Sequence, residues 1–195
     1  MRNRLASVGL VAGILMLIDL STVSTRAQQQ GAVTRVLANV PATVAISPLQ
    51  PLWDVTLQQI GSFSATLAWR VEANVTQLQM MVEASDLFKA DDPTNTAVPP
   101  IPLDTSRPVL LTAEHANQAN AGGNKMVWIG PGAAIGGFPT NRTETITLES
   151  SQQEIFSQLV TTQIFYNQQE VIKPMGQYSG RVKITTMIPA TATIH

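Results

Sequence analysis

The sequence predicts an all-β protein, an immunoglobulin-like antiparallel sandwich of two sheets. Apolar and polar residues alternate over short stretches, and clusters of Gly, Pro, Asn and Asp separate these stretches, as expected for half-buried strands joined by turns. About eight or nine such stretches occupy the chain, and only residues 150–157 could form a helical turn. Many short strands without a long helix favour two packed sheets over an α/β fold.

The first predicted strand spans residues 35–47 and has apolar side chains at every second position from Val36 to Ile46. Pro41 lies in its middle and cannot donate a ladder hydrogen bond, so the segment is an edge strand, a bent strand or two short strands. The last two predicted strands form a C-terminal hairpin, and Trp69 is predicted to point into the core. The strands after the first span residues 53–58, 63–72, 78–84, 107–112, 125–129, 143–149, 156–166 and 177–188.

The N-terminal residues 1–27 are predicted to be a secretory signal peptide. Two arginines precede an apolar run at residues 8–18, and Ala27 ends a cleavage-site pattern of small residues. The alternative is a membrane anchor, but a span needs roughly 20 apolar residues and Asp19 interrupts this run. We therefore expect a secreted mature protein of residues 28–195 that forms a single β-sandwich domain.

The charge balance disfavours polyanionic partners. The chain has 12 Lys and Arg against 13 Asp and Glu, and the signal segment holds three of the former and one of the latter. The mature part therefore has a net charge of about −3, whereas nucleic acids and anionic membranes select basic patches. The chain has no cysteine, which excludes disulfides, thiolate catalysis and cysteine-ligated metals.

No residue pattern points to catalysis. His115 and His195 lie in no metal-ligand motif, and there is no G-x-S-x-G nucleophile elbow. Asp91 and Asp92 lack the spacing of a calcium loop, so solvation of a connecting loop is the better interpretation. Residues 130–139 are predicted to form a flexible Gly-rich loop, because their spacing is not that of a phosphate-binding fingerprint. We predict a protein that is not an enzyme and has no cofactor or metal.

Two tryptophans are candidates for ligand contact. Trp53 and Trp128 could form a platform on which a sugar ring stacks, although a place in the core is favoured for both. Asn74 and Asn141 each begin an N-glycosylation sequon, a short pattern that also occurs by chance.

Two stretches resemble a known family. Residues 36–46 (VLANVPATVAI) have a V-x-A-x-V pattern, then a proline, then alternating apolar residues. Residues 175–184 (MGQYSGRVKI) contain G-x-Y-x-G-x-V-x-I. Together with the signal peptide and the absence of cysteine, these stretches are similar to the first and last strands of alpha-class (class 5, colonisation-factor type) fimbrial major subunits, which are chaperone–usher pilins.

The resemblance implies a structural subunit that polymerises by donor-strand exchange and supports adhesion. In such fimbriae each sandwich lacks one strand, and the N-terminal strand of the next subunit fills the gap. The implied donor residues are Val33, Val36, Ala38 and Val40. The implied acceptor groove is lined by Val182, Ile184 and Ile188. The implied partners are copies of the same chain arranged head to tail, a periplasmic chaperone, an outer-membrane usher and a host or surface receptor.

The alternation in residues 35–47 also suits a different arrangement. The segment could be the first strand of a complete sandwich, because the same pattern serves a strand that pairs within its own chain. The protein would then be a monomeric extracellular binding module that binds glycans through Trp53 or Trp128. The sequence does not separate these two interpretations.

Overall fold

All regular elements of the structure are β strands. It is a computed structural model that describes residues 38, 40–50, 60–118 and 125–190. Within these ranges there is no helix, and the segment predicted as a possible helical turn, residues 150–157, consists of the end of one strand, a series of bends and the start of the next strand. The strands are β1 (Val44–Pro48), β2 (Gly61–Ala73), β3 (Gln77–Ser85), β4 (Phe88–Lys89), β5 (Val109–Ala113), β6 (Ala116–Gln118), β7 (Lys125–Met126), β8 (Trp128–Pro131), β9 (Thr140–Thr143), β10 (Ile146–Ser150), β11 (Phe156–Gln168), β12 (Tyr178–Ser179) and β13 (Val182–Met187).

The first sheet has the strand order β1-β2-β11-β5-β7 and is antiparallel at every pair. Its centre is the pairing of β2 with β11, which runs without a break from Phe156 opposite Ala73 to Gln168 opposite Gly61. The short strands β1 and β7 lie at its two edges.

The second sheet is centred on β3. Strand β13 pairs with one side of β3, while β9 and β10 share the other side, and β8 and β6 lie beyond them. Between β9 and β10 the ladder is interrupted, and the Thr143 hydroxyl takes its place. This hydroxyl accepts the Val82 N–H at 3.0 Å and donates to the Val82 carbonyl at 3.2 Å. A buried backbone pair is thereby satisfied without a strand partner.

The core lies between the two sheets and is formed by alternate side chains of both. Each fully buried aliphatic or aromatic side chain contributes about 1.5–3 kcal/mol, so this core can stabilise a domain that has no disulfide. The prediction of an all-β antiparallel sandwich is confirmed, while its immunoglobulin-like type stays a prediction. Fully buried members include Val71, Leu78, Met80, Val82, Val109, Leu111, Met126, Phe156, Val160 and Ile164.

The first strand is shorter than predicted. It spans Val44–Pro48 instead of residues 35–47, and the described residues before it, 38 and 40–43, lie outside any strand. The physical reason is Pro41, which has no N–H for a ladder. The Asn74 side chain binds this segment instead, since its Nδ2 donates to the Pro41 carbonyl at 2.8 Å and its Oδ1 accepts the Thr43 N–H at 2.6 Å. The rest of the predicted strand lies outside the described residues.

The predicted C-terminal hairpin is wrong. Strand β11 belongs to the first sheet, whereas β13 pairs with β3 in the second. The chain between them forms β12, which pairs with β4, and then turns at Gly180 and Arg181. At this corner the Arg181 N–H donates to the Ser85 hydroxyl at 2.8 Å and the Ser85 N–H donates to the Arg181 carbonyl at 2.9 Å. Regular alternation predicted the strands here but not which sheet each would join.

The carboxyl group of Asp86 gives the stability of this corner a pH dependence. Burial raises its pKa above the usual 3.8, and the hydrogen bond from the Leu103 N–H offsets the rise only in part. Because the folded state holds this proton more tightly than the unfolded state, the group stabilises the fold most below pH 3.8 and loses that contribution as the pH rises through its raised pKa.

The variant Asp86→Asn should therefore gain stability relative to the wild type as the pH rises from the acid range to neutrality. The amide oxygen can still accept the Leu103 N–H, so the hydrogen bond is retained. Urea unfolding between pH 3 and 7 measures the difference. Asp91→Asn is the matched control. It should lose stability relative to the wild type over the same rise in pH, because hydrogen bonds from Arg181 and Ser179 lower the pKa of Asp91. A difference between Asp86→Asn and wild type that is independent of pH would contradict the prediction.

Candidate functional site

One lateral edge of the sandwich is open in the described part of the chain. Strand β1 is the edge of the first sheet, β13 is the edge of the second, and the two lie next to each other. Among the described strands β1 pairs only with β2, and β13 only with β3. The outer backbone groups of both strands therefore pair with no other described strand. Edges of this kind are the places where another chain can add a strand.

Among the described residues, the open edge is widest beside β2. Strand β1 covers only Trp69–Ala73 of this thirteen-residue strand, and the coverage ends with the Leu49 N–H donating to the Ala68 carbonyl at 2.9 Å. Trp69 packs against the core as predicted but is only partly buried, and its indole N–H donates to the Thr162 hydroxyl at 3.1 Å. Apolar surface is thus left partly uncovered along this edge.

The predicted acceptor residues lie together on one face of the last strand. Ile184 is 6% exposed and belongs to the core, and Val182 and Ile188 are partly buried and pack against the same core. Ile188 follows directly after the end of β13. Val182 and Ile184 therefore lie on the core-facing side of the edge strand, with Ile188 just beyond its end, and their role as an acceptor stays a prediction.

The predicted donor residues are described only in part. Val40 is 68% exposed and Ala38 is also exposed, and neither lies in a strand. Val33 and Val36 fall outside the described residues. Alternating apolar residues that are exposed ahead of β1 fit a segment whose partner is another molecule.

The opposite edge of the sandwich contains a cleft beside Trp128. Here the chain crosses between the sheets, because β7 pairs with β5 in the first sheet and β8 pairs with β9 in the second. The cleft is shallow, with a volume of ≈ 250 Å³. Its lining consists of Thr105, Ser106, Pro108, Lys125, Val127, Trp128 and Glu144.

The walls of this Trp128 cleft are held in place by several contacts. The indole N–H of Trp128 donates to the Arg107 carbonyl at 3.1 Å, and the Arg107 guanidinium lies 3.6 Å from the centroid of the Phe165 ring. Val127 and Glu144 bind each other twice. The Glu144 N–H donates to the Val127 carbonyl at 2.8 Å, and the Val127 N–H donates to Glu144 Oε1 at 3.3 Å. The indole and the carboxylate are therefore oriented before any ligand arrives.

Two charged groups at the Trp128 cleft have unused hydrogen-bonding capacity. Within the described residues the Lys125 ammonium has no hydrogen-bond or ion-pair partner, and neither has Glu144 Oε2. Trp128 itself is partly buried and packs against the core, the position that the sequence favoured for it. Sequence reasoning missed Lys125 and Glu144, because only the pairing of β8 with β9 brings residue 144 beside residue 127. Trp53, the other predicted ligand-contacting aromatic residue, lies outside the described residues.

Several other polar residues considered from the sequence have structural contacts, and His195 lies outside the described residues. Asp91 pairs with Arg181 at 2.8 Å, and Asp92 accepts hydrogen bonds from the N–H and the hydroxyl of Thr94. The backbone N–H of His115 donates to Gln158 Oε1 at 2.6 Å. In the described part of the chain no group of three metal-ligating side chains is present. No helix long and apolar enough to cross a membrane occurs in that part either.

Comparisons with protein-family models, with curated proteins and with solved structures find no match to this chain. The arguments about function therefore depend on the residues and their geometry.

Proposed function

We propose that this protein is a secreted structural subunit of a fimbria-like surface filament that polymerises by donor-strand exchange and supports adhesion. The observation that carries the proposal is the combination at the open edge. The first strand begins only at Val44, apolar residues before it are exposed, and the edges of β1 and β13 lie side by side without a described partner.

The energetics of strand addition suit these residues. A donated strand would complete backbone ladders along an open edge, and its alternate side chains would fix the register. Each valine that becomes buried contributes about 1.5–3 kcal/mol, so three or four apolar residues together with the ladder make dissociation very slow. Because the donor segment and the acceptor edge are different surfaces, the contact is head to tail and generates an open filament.

The resemblance of residues 36–46 and 175–184 to alpha-class fimbrial subunits supports the same assignment. It also supplies the proposed partners, which are a periplasmic chaperone that covers the open edge before assembly, an outer-membrane usher and a host or surface receptor. An uncovered edge with apolar surface is prone to aggregation, which is a physical reason for a chaperone.

The primary test is electrophoresis of the protein made with its own leader in a bacterial periplasm. Unheated samples in denaturing detergent should show a ladder of multimers that collapses to a monomer on boiling, because strand-exchanged subunits dissociate extremely slowly. Refolding the purified protein from denaturant at several concentrations repeats the test without a chaperone. A soluble monomer under all these conditions would favour the self-complete sandwich.

Val40→Asp should abolish the ladder of multimers on the gel while leaving the fold of the subunit intact. Val40 is 68% exposed, so its replacement should change the free energy of unfolding by less than about 0.5 kcal/mol. As a donor residue, however, the aspartate would have to enter an apolar groove. The matched control is Val171→Asp, since Val171 is 84% exposed on the loop before β12 and is not a proposed donor residue. Persistence of the ladder in Val40→Asp would exclude Val40 as a donor.

A further inference from the structure

We propose that the Trp128 cleft is a carbohydrate-binding site that holds one neutral, hexose-sized sugar unit. The proposal does not depend on polymerisation, because the cleft lies at the edge formed by β7 and β8, opposite the edge formed by β1 and β13. It assigns to Trp128 a binding role that is independent of the filament.

The size and the apolar part of the lining favour a single sugar ring. Drug-sized ligands occupy pockets of roughly 300–1,000 Å³, and the cleft at ≈ 250 Å³ falls just below this range. Trp128, Val127 and Pro108 supply apolar surface on which the C–H face of a pyranose can lie. An aromatic ring fixed at its N–H end is suited to this contact, since its orientation costs little further entropy.

The polar part of the lining suits hydroxyl groups. The free Glu144 Oε2 accepts hydrogen bonds and the Lys125 ammonium donates them, which matches a sugar hydroxyl that does both. Thr105 adds an exposed hydroxyl that has no hydrogen-bond partner among the described residues. The carboxylate and the ammonium balance each other in charge, so the cleft favours a neutral sugar over a sugar acid.

The test is ligand-observed NMR on the wild-type protein with a panel of methyl glycosides. The panel contains neutral hexoses, N-acetylhexosamines and N-acetylneuraminic acid, each at about 10 mM, because a single-ring ligand is expected to bind in the millimolar range. Saturation transfer to the C–H protons of one face of a neutral glycoside is the expected result. If no panel member shows transfer, or if the acidic sugar binds best, the proposal is wrong.

Variants connect the signal to the Trp128 cleft. Glu144→Gln keeps the acceptor for the Val127 N–H but removes the charge, and should weaken binding by about tenfold, as expected for the loss of one charge-assisted hydrogen bond. Trp128→Ala should abolish binding. Should the alanine variant fail to fold, Trp128→Phe replaces it in the test and should bind more weakly than the wild type. Trp69→Phe is the control, because Trp69 lies at the other edge. Equal binding by Trp128→Phe, Glu144→Gln and wild type would place any sugar site elsewhere.

The same panel separates this proposal from the filament proposal. The monomeric Val40→Asp protein should bind the glycoside as the wild type does, because Val40 lies outside the Trp128 cleft. Glycoside binding by a wild-type protein that forms no multimers would support the cleft and reject the filament. Multimers without binding would do the reverse.

Discussion

Replacement of Gly180 by alanine should destabilise the protein by about 3 kcal/mol, because there is no room for a side chain at the corner between β12 and β13. A Cβ atom there would lie 2.8 Å from the Asp86 carbonyl oxygen, 2.8 Å from Leu87 Cδ2 and 2.9 Å from Ser85 Oγ. One of these neighbours, Ser85, binds the Arg181 backbone, so relief of the clash would pull β13 away from β3. Urea unfolding measures the loss as a lower midpoint with an unchanged slope.

The control for Gly180→Ala is Gly136→Ala. Gly136 has a positive φ of 59°, and the space into which a Cβ atom would project is open. Alanine there should cost about 1 kcal/mol from backbone strain alone. Equal losses in the two variants would show that crowding at the corner is relieved at no cost, contrary to the prediction.

Phe138→Ala should cost about 3–5 kcal/mol, the range for truncating a buried phenylalanine. Phe138 is 2% exposed although it belongs to the Gly-rich segment at residues 130–139. Its ring meets Phe88 edge-on with centroids 5.7 Å apart, and the Arg181 guanidinium lies 4.3 Å from its centroid. The truncation would leave a cavity beneath Arg181 and remove its cation–π contact.

Thermal and urea unfolding of Phe138→Ala should be compared with Ile129→Ala. Ile129 is 55% exposed on the neighbouring strand β8, so its truncation should change stability by no more than about 0.5 kcal/mol. A small effect at both positions would mean that the Gly-rich segment contributes little to the fold, as the sequence-based prediction of a flexible loop implied.

The Gly-rich segment shows why composition predicts conformation poorly. Glycines and a missing phosphate fingerprint favoured a free loop, but the segment folds back on the second sheet. The Ala133 N–H donates to Glu83 Oε1 at 2.9 Å and the Thr140 hydroxyl donates to the Ala133 carbonyl at 2.8 Å. Glu83 lies 50 residues from Ala133 in the sequence and Thr140 lies 7 residues from it. The contact with Glu83 could therefore not be inferred from the local sequence.

Strands were predictable where one face is buried and the other exposed. Alternation located β2 and β3 to within a few residues, because the period of two reflects the pleat directly. Alternation could not show which strands pair with one another, since strand pairing depends on how distant parts of the chain pack together. For this reason the hairpin of β11 with β13 was wrong, and for the same reason Lys125 and Glu144 were not recognised beside Trp128.

Pro41 was the most informative single residue in the sequence. Its missing N–H favoured an edge strand, a bent strand or two short strands, and β1, which begins three residues after it, is an edge strand. The compensating contact from Asn74 was not predictable, because an asparagine in a turn has no pattern that names a partner 33 residues earlier. Its sequon had suggested a surface modification instead.

The placement of the Trp128 cleft on the edge opposite β1 and β13 has a consequence for binding strength. Strand exchange would use one edge of every subunit and leave the other exposed, so a filament would display one cleft per subunit in a regular array. A surface covered with glycans would then meet many sites at once, and linked sites can raise the overall affinity by about 10²–10⁴ without any new contact. The filament as a whole would thus bind tightly, although each single glycan would still dissociate rapidly from its cleft.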